Sequence, residues 1–121
     1  VTNLRWLKWA VAKHFRERGL EVSLRSIRVG NCMIDGEVVG SAWKMALELK
    51  STGDDLVRGL GQLSEALANG YDEAALVTTI RRARRINPSV FNRHRFILLG
   101  VDSKANVRQV YPTYSSRGET G

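Results

Sequence analysis

The segment Met45-Ala-Leu-Glu-Leu-Lys50 constrains this chain more than any other. Side chains of a strand alternate between the two faces of a sheet, so Leu47 and Leu49 point one way and Ala46, Glu48 and Lys50 the other. Glu48 and Lys50 therefore stand side by side within an otherwise apolar strand. Buried there, each charge is costly unless it is paired or bound to a cation. The chain has to place this strand in a sheet and supply its two charges with partners.

The rest of the sequence reads as one domain wrapped around that strand. Its 121 residues fit the usual size of a single domain, here drawn at 1–113, with a poorly ordered tail at 114–121. The spacing predicts a helix over 3–18 whose core stripe is Leu4, Leu7, Ala10, Val11, His14 and Phe15, stopped by Gly19. Leu20–Arg28 reads as a strand, and Cys32–Val39 and Ala42–Leu49 as a hairpin around Gly40-Ser41. Thr52 with Asp55 suggests a capping box for a helix carrying Leu56, Leu60, Leu63 and Leu67 on one side, closed by Asn69-Gly70. Ala74–Thr79, Phe96–Val101 and Val107–Val110 read as further strands, with an arginine-rich helix or loop broken near Pro88. The fold class is α/β, with a mixed central sheet flanked by helices.

Charge is segregated along the chain. A net charge of +7 conceals +5 over residues 1–28, −5 over 29–80 and +6 over 81–95. Arginines outnumber lysines 14 to 5, which favours bidentate phosphate contacts. The run Arg81, Arg82, Arg84, Arg85 with Arg93 and Arg95 reads as a surface for nucleic-acid backbone, which His94 could join. The single cysteine, Cys32, cannot form an internal disulfide, and His14 and His94 are too few for a Cys/His zinc set. With no signal-peptide stretch and no apolar run of membrane-spanning length, a cytoplasmic protein that does not engage a membrane is the expectation.

The acidic centre suggests an ion site. Asp35 lies thirteen positions before Glu48, and the hairpin would return it beside that strand. Two carboxylates and a lysine converging there could hold Mg²⁺, a cation that takes oxygen ligands and keeps several waters, with Mn²⁺ as a substitute. Asp35 and Glu48 would be the ligands, while Lys50 would orient a water or stabilise the phosphoryl transition state. The basic flanks would hold a polyanion over the site. A second acid-x-Lys triplet, Asp102-Ser-Lys104, falls in a turn and needs only a solvated loop to explain it.

Taken together, Ile34-Asp35 and Glu48-Leu49-Lys50-Ser51, with a helix before and after, resemble the PD-(D/E)XK nuclease superfamily. Within it the chain is most similar to the small archaeal Holliday-junction resolvases, from the first helix through Arg18-Gly-Leu-Glu-Val22 to Val77-Thr-Thr79. The resemblance implies a restriction-endonuclease-like αβββαβ core, Mg²⁺-dependent cleavage of DNA, branched DNA included, and a homodimer. It assigns Asp35 and Glu48 to the metal, makes Lys50 the catalytic lysine, and matches Gln62 to a glutamine that many members place near the site.

Members often carry an acid in the middle of the first helix. Here Glu17, at the helix end, is the acid available, and Glu37 is a possible stand-in. Trp43 reads as core, His14 as a core-edge residue and Ser26 as a loop residue within reach of phosphate. Two other readings compete with the nuclease. One is a nucleic-acid-binding or assembly module that keeps the fold without cleaving. The other is a dimerisation domain that uses a Trp6/Trp9 face.

Overall fold

The computed structural model describes residues 4–51 and 53–113, so Thr52 and the tail at 114–121 lie outside the described residues. Helix α1 (Leu4–Arg16) is followed by β1 (Glu21–Ser23), the short pair β2 (Ile27–Val29) and β3 (Cys32–Ile34), then β4 (Gly36–Gly40) and β5 (Trp43–Leu49). Next come α2 (Leu56–Ala68), β6 (Glu73–Thr79), two short helices α3 (Ile80–Ala83) and α4 (Ser89–His94), and finally β7 (Ile97–Val101) and β8 (Val107–Tyr111). Six strands form one sheet in the order β1-β4-β5-β6-β7-β8, and β2 and β3 pair separately. The pairs β5–β6 and β6–β7 are parallel, and the outer pairs antiparallel. The sequence α1-β1-β4-β5-α2-β6 gives the αβββαβ order, with β2–β3 inserted.

Alternation along β5 divides the core in two. Met45, Leu47 and Leu49 pack beneath α1 with Leu7, Val11 and Phe15. On the opposite face Ala46, Leu76 and Leu98 meet Leu63 and Ala66 of α2, Ala83 of α3 and Phe91 of α4. Both clusters are buried, which gives the sheet the helix-covered faces that parallel strands require. Among the described residues no helix is long and apolar enough to cross a membrane.

Several expected boundaries move. The strand expected over Leu20–Arg28 divides into β1 and β2, because the chain leaves the sheet after Ser23 and β2 pairs with β3 instead. The strand expected over Cys32–Val39 divides at Asp35, where the chain bends from β3 into β4. The helix cap also moves. Asp55, expected inside the capping box, is itself the N-cap of α2 and accepts from Val57 N at 3.0 Å. Leu4, expected in the core stripe, is exposed at the start of α1, and Trp43 is half-buried, its indole donating to Glu73 Oε1 at 2.8 Å.

Gly36 shows why the bend sits where it does. It pairs with Leu47, and a Cβ built on it would stand 2.5 Å from the Ser23 carbonyl oxygen. Only a residue without a side chain lets β4 start this close to the end of β1. Gly61, on α2, has nothing within 4 Å of its would-be Cβ. Gly36→Ala is therefore expected to lower stability by about 1–3 kcal/mol through backbone displacement. Gly61→Ala, freed of the helix penalty of glycine, is expected to raise it by about 0.5–1 kcal/mol. Urea unfolding of the two variants beside the parent chain measures both, and equal effects would show that the close approach at Gly36 is absent.

Candidate functional site

The site forms at the carboxyl ends of the central parallel strands, the end of an open α/β sheet where ligands usually bind. Register places its members. Gly36 opposite Leu47 brings Asp35 level with Glu48, and Glu48 lies opposite Leu76 of β6. Asp35 is fixed at both ends of the residue: its N–H donates to the Leu47 carbonyl at 3.0 Å, and its Oδ2 accepts from Leu49 N–H at 2.8 Å. Lys50 ends the β5–β6 ladder, donating through its N–H to the Val77 carbonyl at 2.8 Å. The three residues singled out in the sequence, Asp35, Glu48 and Lys50, thus come together at one sheet end.

Glu48 is the unusual member. It is 1% exposed, its Oε2 lies 3.7 Å from Lys50 Nζ, and its Oε1 has no hydrogen-bond partner. Burial pushes the carboxyl up to about 8, the nearby Asp35 charge adds to the rise, and Lys50 opposes it. A buried carboxylate with one bare oxygen, beside a second acid, is an arrangement that a hard cation relieves. Among the described residues no group of three or more His, Cys, Asp or Glu side chains gathers to hold a metal. Two carboxylates suffice for Mg²⁺, which commonly keeps waters or substrate oxygens in its remaining positions. The donor set therefore fits a divalent cation.

Helix α2 roofs the site. At Gly59 it comes so close that a Cβ would stand 2.8 Å from Lys50 Cε and 3.0 Å from Leu76 Cδ1. The lysine stem is thus held under the helix, with its side chain 13% exposed. One turn further on, Gln62 donates through Nε2 to the Met33 carbonyl at 2.6 Å, two residues before Asp35, while its Oε1 is buried without a partner. Across the sheet from Lys50, the fully buried Thr78 also has an unpartnered hydroxyl. Among the described residues, Glu48 Oε1, Gln62 Oε1 and Thr78 Oγ1 are the buried side-chain oxygens left without partners. Gly59 and Thr78 escape a sequence reading because each matters only through contacts made across the sheet.

Other expected members lie elsewhere. Glu17 is exposed just past α1, 3.9 Å from Lys13, and shares a cleft with Asn106 and Arg108 near β8. Because α1 covers the Leu47/Leu49 face and Glu48 faces the other layer, Glu17 does not join the site. Glu37 accepts the Tyr71 hydroxyl at 2.6 Å and is committed there. That bond, together with burial, raises the Tyr71 hydroxyl above its ordinary range. Asp102 caps its own turn, accepting from Lys104 N and Asn106 N, both at 2.9 Å, as a solvated loop requires.

The arginine run is not one surface. Arg81, Arg84 and Arg85 are exposed and follow directly from the site end of β6. Arg93 and Arg95 are exposed too, but Arg95 lines a cleft of about 470 Å³ with Asp72, Glu73 and Tyr111 at the opposite end of the sheet. His94 stacks on Phe96, ring centroids 5.5 Å apart. Arg82 departs from the expectation of a phosphate contact. It is half-buried, and its guanidinium donates to the carbonyls of Ser51 and Asp54.

No protein-family model and no curated protein matches the chain. Solved structures share its fold. A protein of unknown function from Silicibacter pomeroyi superposes with a TM-score of 0.66 at 16% identity, covering 91% of this chain and 70% of its own. An XisH family protein from Nostoc punctiforme gives 0.63 at 16% identity, covering 86% and 97%. A fdxN element excision controlling factor protein from Anabaena variabilis gives 0.60 at 12% identity, covering 88% and 98%. At these identities the likeness is one of fold.

The raised Glu48 carboxyl has a consequence for stability. In the unfolded chain the group ionises near its ordinary value of 4.5, and in the folded chain near 8. Between those values the folded state holds more protons, so stability falls as pH rises and levels off above about 8. Metal-free protein is expected to lose several degrees in melting temperature across that window relative to Glu48→Gln. Parallel thermal melts from pH 5 to 9 check this, and superimposable pH profiles would rule out a neutral buried Glu48.

Proposed function

We propose that the protein is a metal-dependent endonuclease that hydrolyses phosphodiester bonds of DNA. The observation that carries the reading is Glu48: a carboxylate 1% exposed, one oxygen unpartnered, next to Asp35 and 3.7 Å from Lys50. Structural carboxylates are buried with their oxygens satisfied, whereas this one is buried with an acceptor to spare.

Asp35 and Glu48 would hold the ion, Asp35 with the oxygen not engaged by Leu49 N–H. Once bound, a divalent cation neutralises phosphate charge and acidifies a water. Lys50, confined beneath Gly59, keeps an ammonium at the same edge, where it can stabilise charge developing on the phosphoryl oxygens or orient the attacking water. Gln62 presents a second unpartnered oxygen, an acceptor for a water in the site. Arg81, Arg84 and Arg85, exposed past the end of β6, supply charge for the DNA backbone at the site end of the sheet. The basic residues bind without reading bases, so the reading is of a backbone- or shape-directed enzyme.

The test incubates the protein with linear duplex, single-stranded and four-way-junction DNA in Mg²⁺, Mn²⁺ or EDTA. Cleavage is expected with either metal and not with EDTA, and Glu48→Ala is expected to lower it about 10²–10³-fold. Mn²⁺ is expected to raise the melting temperature of the parent chain and not that of Glu48→Gln, a readout independent of activity. Preference for the junction would extend the resolvase likeness to substrate. DNA binding without cleavage under any metal would leave the non-catalytic binding module as the function.

A further inference from the structure

We propose that Arg82 is a positioning residue of this site: its guanidinium bridges the Ser51 and Asp54 carbonyls and so fixes the turn that carries Lys50, instead of meeting nucleic-acid phosphate. The inference deepens the nuclease reading and rests on it for its catalytic consequence.

The bond from Lys50 N–H to the Val77 carbonyl is the last tie between β5 and β6, and the chain then turns out of the sheet towards α2. That turn is short and polar. Asp54 Oδ2 accepts from Ser51 N–H at 2.8 Å and from Ser51 Oγ at 2.9 Å, and Asp54 N–H returns a bond to the Ser51 carbonyl at 3.1 Å. Those bonds close the turn on itself. They do not tie it to the rest of the protein.

Arg82 supplies the external tie. It lies on α3, which starts directly after β6, and Thr79 Oγ1 accepts from its backbone N–H at 3.3 Å. From that base the side chain reaches back, Nη1 donating to the Ser51 carbonyl and Nη2 to the Asp54 carbonyl. The end of β6 thereby grips the residue that follows Lys50 and the residue that precedes the N-cap of α2. One side chain thus joins the two ends of the turn between Lys50 and the helix that roofs it. The Asp54 carboxyl, held below its ordinary range first by its Ser51 bonds, also lies within the field of Arg82.

The chemistry requires arginine. A guanidinium offers parallel N–H groups in a rigid fork that can meet two carbonyls at once, whereas a lysine ammonium is a single point on a flexible stem. A backbone phosphate contact is less exacting, since Lys gives up the bidentate fork but keeps the charge that carries the salt-dependent part of the affinity. Arg82→Lys therefore separates the two roles, and Arg82→Gln removes both fork and charge.

The experiment measures both variants beside the parent chain and Arg84→Gln, with thermal melts to establish folding. Amide hydrogen exchange in peptides spanning residues 50–57 is expected to quicken about ten-fold in both Arg82 variants. With Mg²⁺, kcat is expected to fall about ten- to a hundred-fold in both, with KM held within about two-fold, because misplacement of Lys50 acts on the chemical step. DNA affinity and its salt dependence are expected to stay at parent values in Arg82→Lys, while Arg84→Gln loses affinity and flattens the salt dependence. Unchanged exchange, or activity restored by lysine, would overturn the proposal and return Arg82 to the phosphate-binding surface. Should the Arg82 variants not fold, Asp54→Asn weakens the bonds within the turn but leaves both carbonyls that Arg82 grips. Exchange and kcat near parent values are then expected, and a quickening of about ten-fold there would show that the Asp54 carboxylate, not Arg82, holds the turn and would overturn the proposal. A parent chain that cleaves no DNA defeats the nuclease reading alone, since the exchange measurement still decides whether Arg82 holds the turn.

Discussion

The structure depends on one buried carboxylate. Glu48 occupies a position in the middle layer of the protein, with Ala46 and Lys50 on its face of β5, Leu76 beside it on β6 and Asp35 level with it on the other side. The cost of removing its charge from water is partly offset by Lys50 at 3.7 Å, yet the Asp35 carboxylate adds to that cost. Without an ion the local balance favours a protonated Glu48, and a divalent cation held as proposed would reverse it by giving both acids a common partner. A residue used only to hold the fold together would be better replaced by a leucine of similar size. Its burial with an unused acceptor is the cost that the proposed ion site would explain.

Everything near Glu48 serves to place groups around it at close quarters. Two adjacent parallel strands put the backbone of β5 and β6 in register, and the β4–β5 hairpin returns Asp35 to the same level. Gly36 lets the returning chain approach β1, and Gly59 lets α2 descend onto Lys50. Each of these contacts joins residues far apart in sequence, so the site assembles only with the complete sheet. The β2–β3 insertion contributes from outside the main sheet. Its edge is held to α2 by Gln62 at the Met33 carbonyl and by Glu65, which accepts from Asn31 N–H at 3.1 Å. Those two side chains lie three residues apart on one helix face, and they hold the segment leading into Asp35.

The parts of this arrangement that follow from local period were legible in the sequence. Alternation in β5 gives the two faces of the sheet, the hairpin spacing pairs Asp35 with Glu48, and the helical spacing of Leu56, Leu60, Leu63 and Leu67 gives the α2 face that meets the sheet. What was not legible depends on partners that leave no trace in residue type. The departure of β2 and β3 from the sheet changes no alternation, since a strand reads the same whichever neighbour it pairs with. Arg82 sits among arginines of identical appearance, and it turns inward to reach backbone carbonyls, which every residue carries. Glu17 fails as a site acid because a helix covers one face of the sheet only, and α1 covers the face that Glu48 does not share.

The negative charge of residues 29–80 takes on a different meaning once its members are located. Asp54 and Asp55 organise the turn and cap of α2, Glu65 accepts from Asn31 N–H in the β2–β3 turn, and Asp72 accepts from Lys44 N–H of β5. Glu37 and Glu73 accept from Tyr71 and Trp43. Six of the eight acids of the segment therefore have structural partners, and Asp35 gives one oxygen to Leu49. Glu48 is the acid whose buried oxygen has none. The basic flanks divide in the same way. In the run at 81–95, Arg82 holds the turn and Arg95 lies at the far end of the sheet, while Arg81, Arg84 and Arg85 follow directly from the site end of β6. Among the described residues, the acids of the segment thus resolve to one buried carboxylate with an unpartnered oxygen, and three exposed arginines follow the same sheet end, the two features on which the proposed nuclease rests.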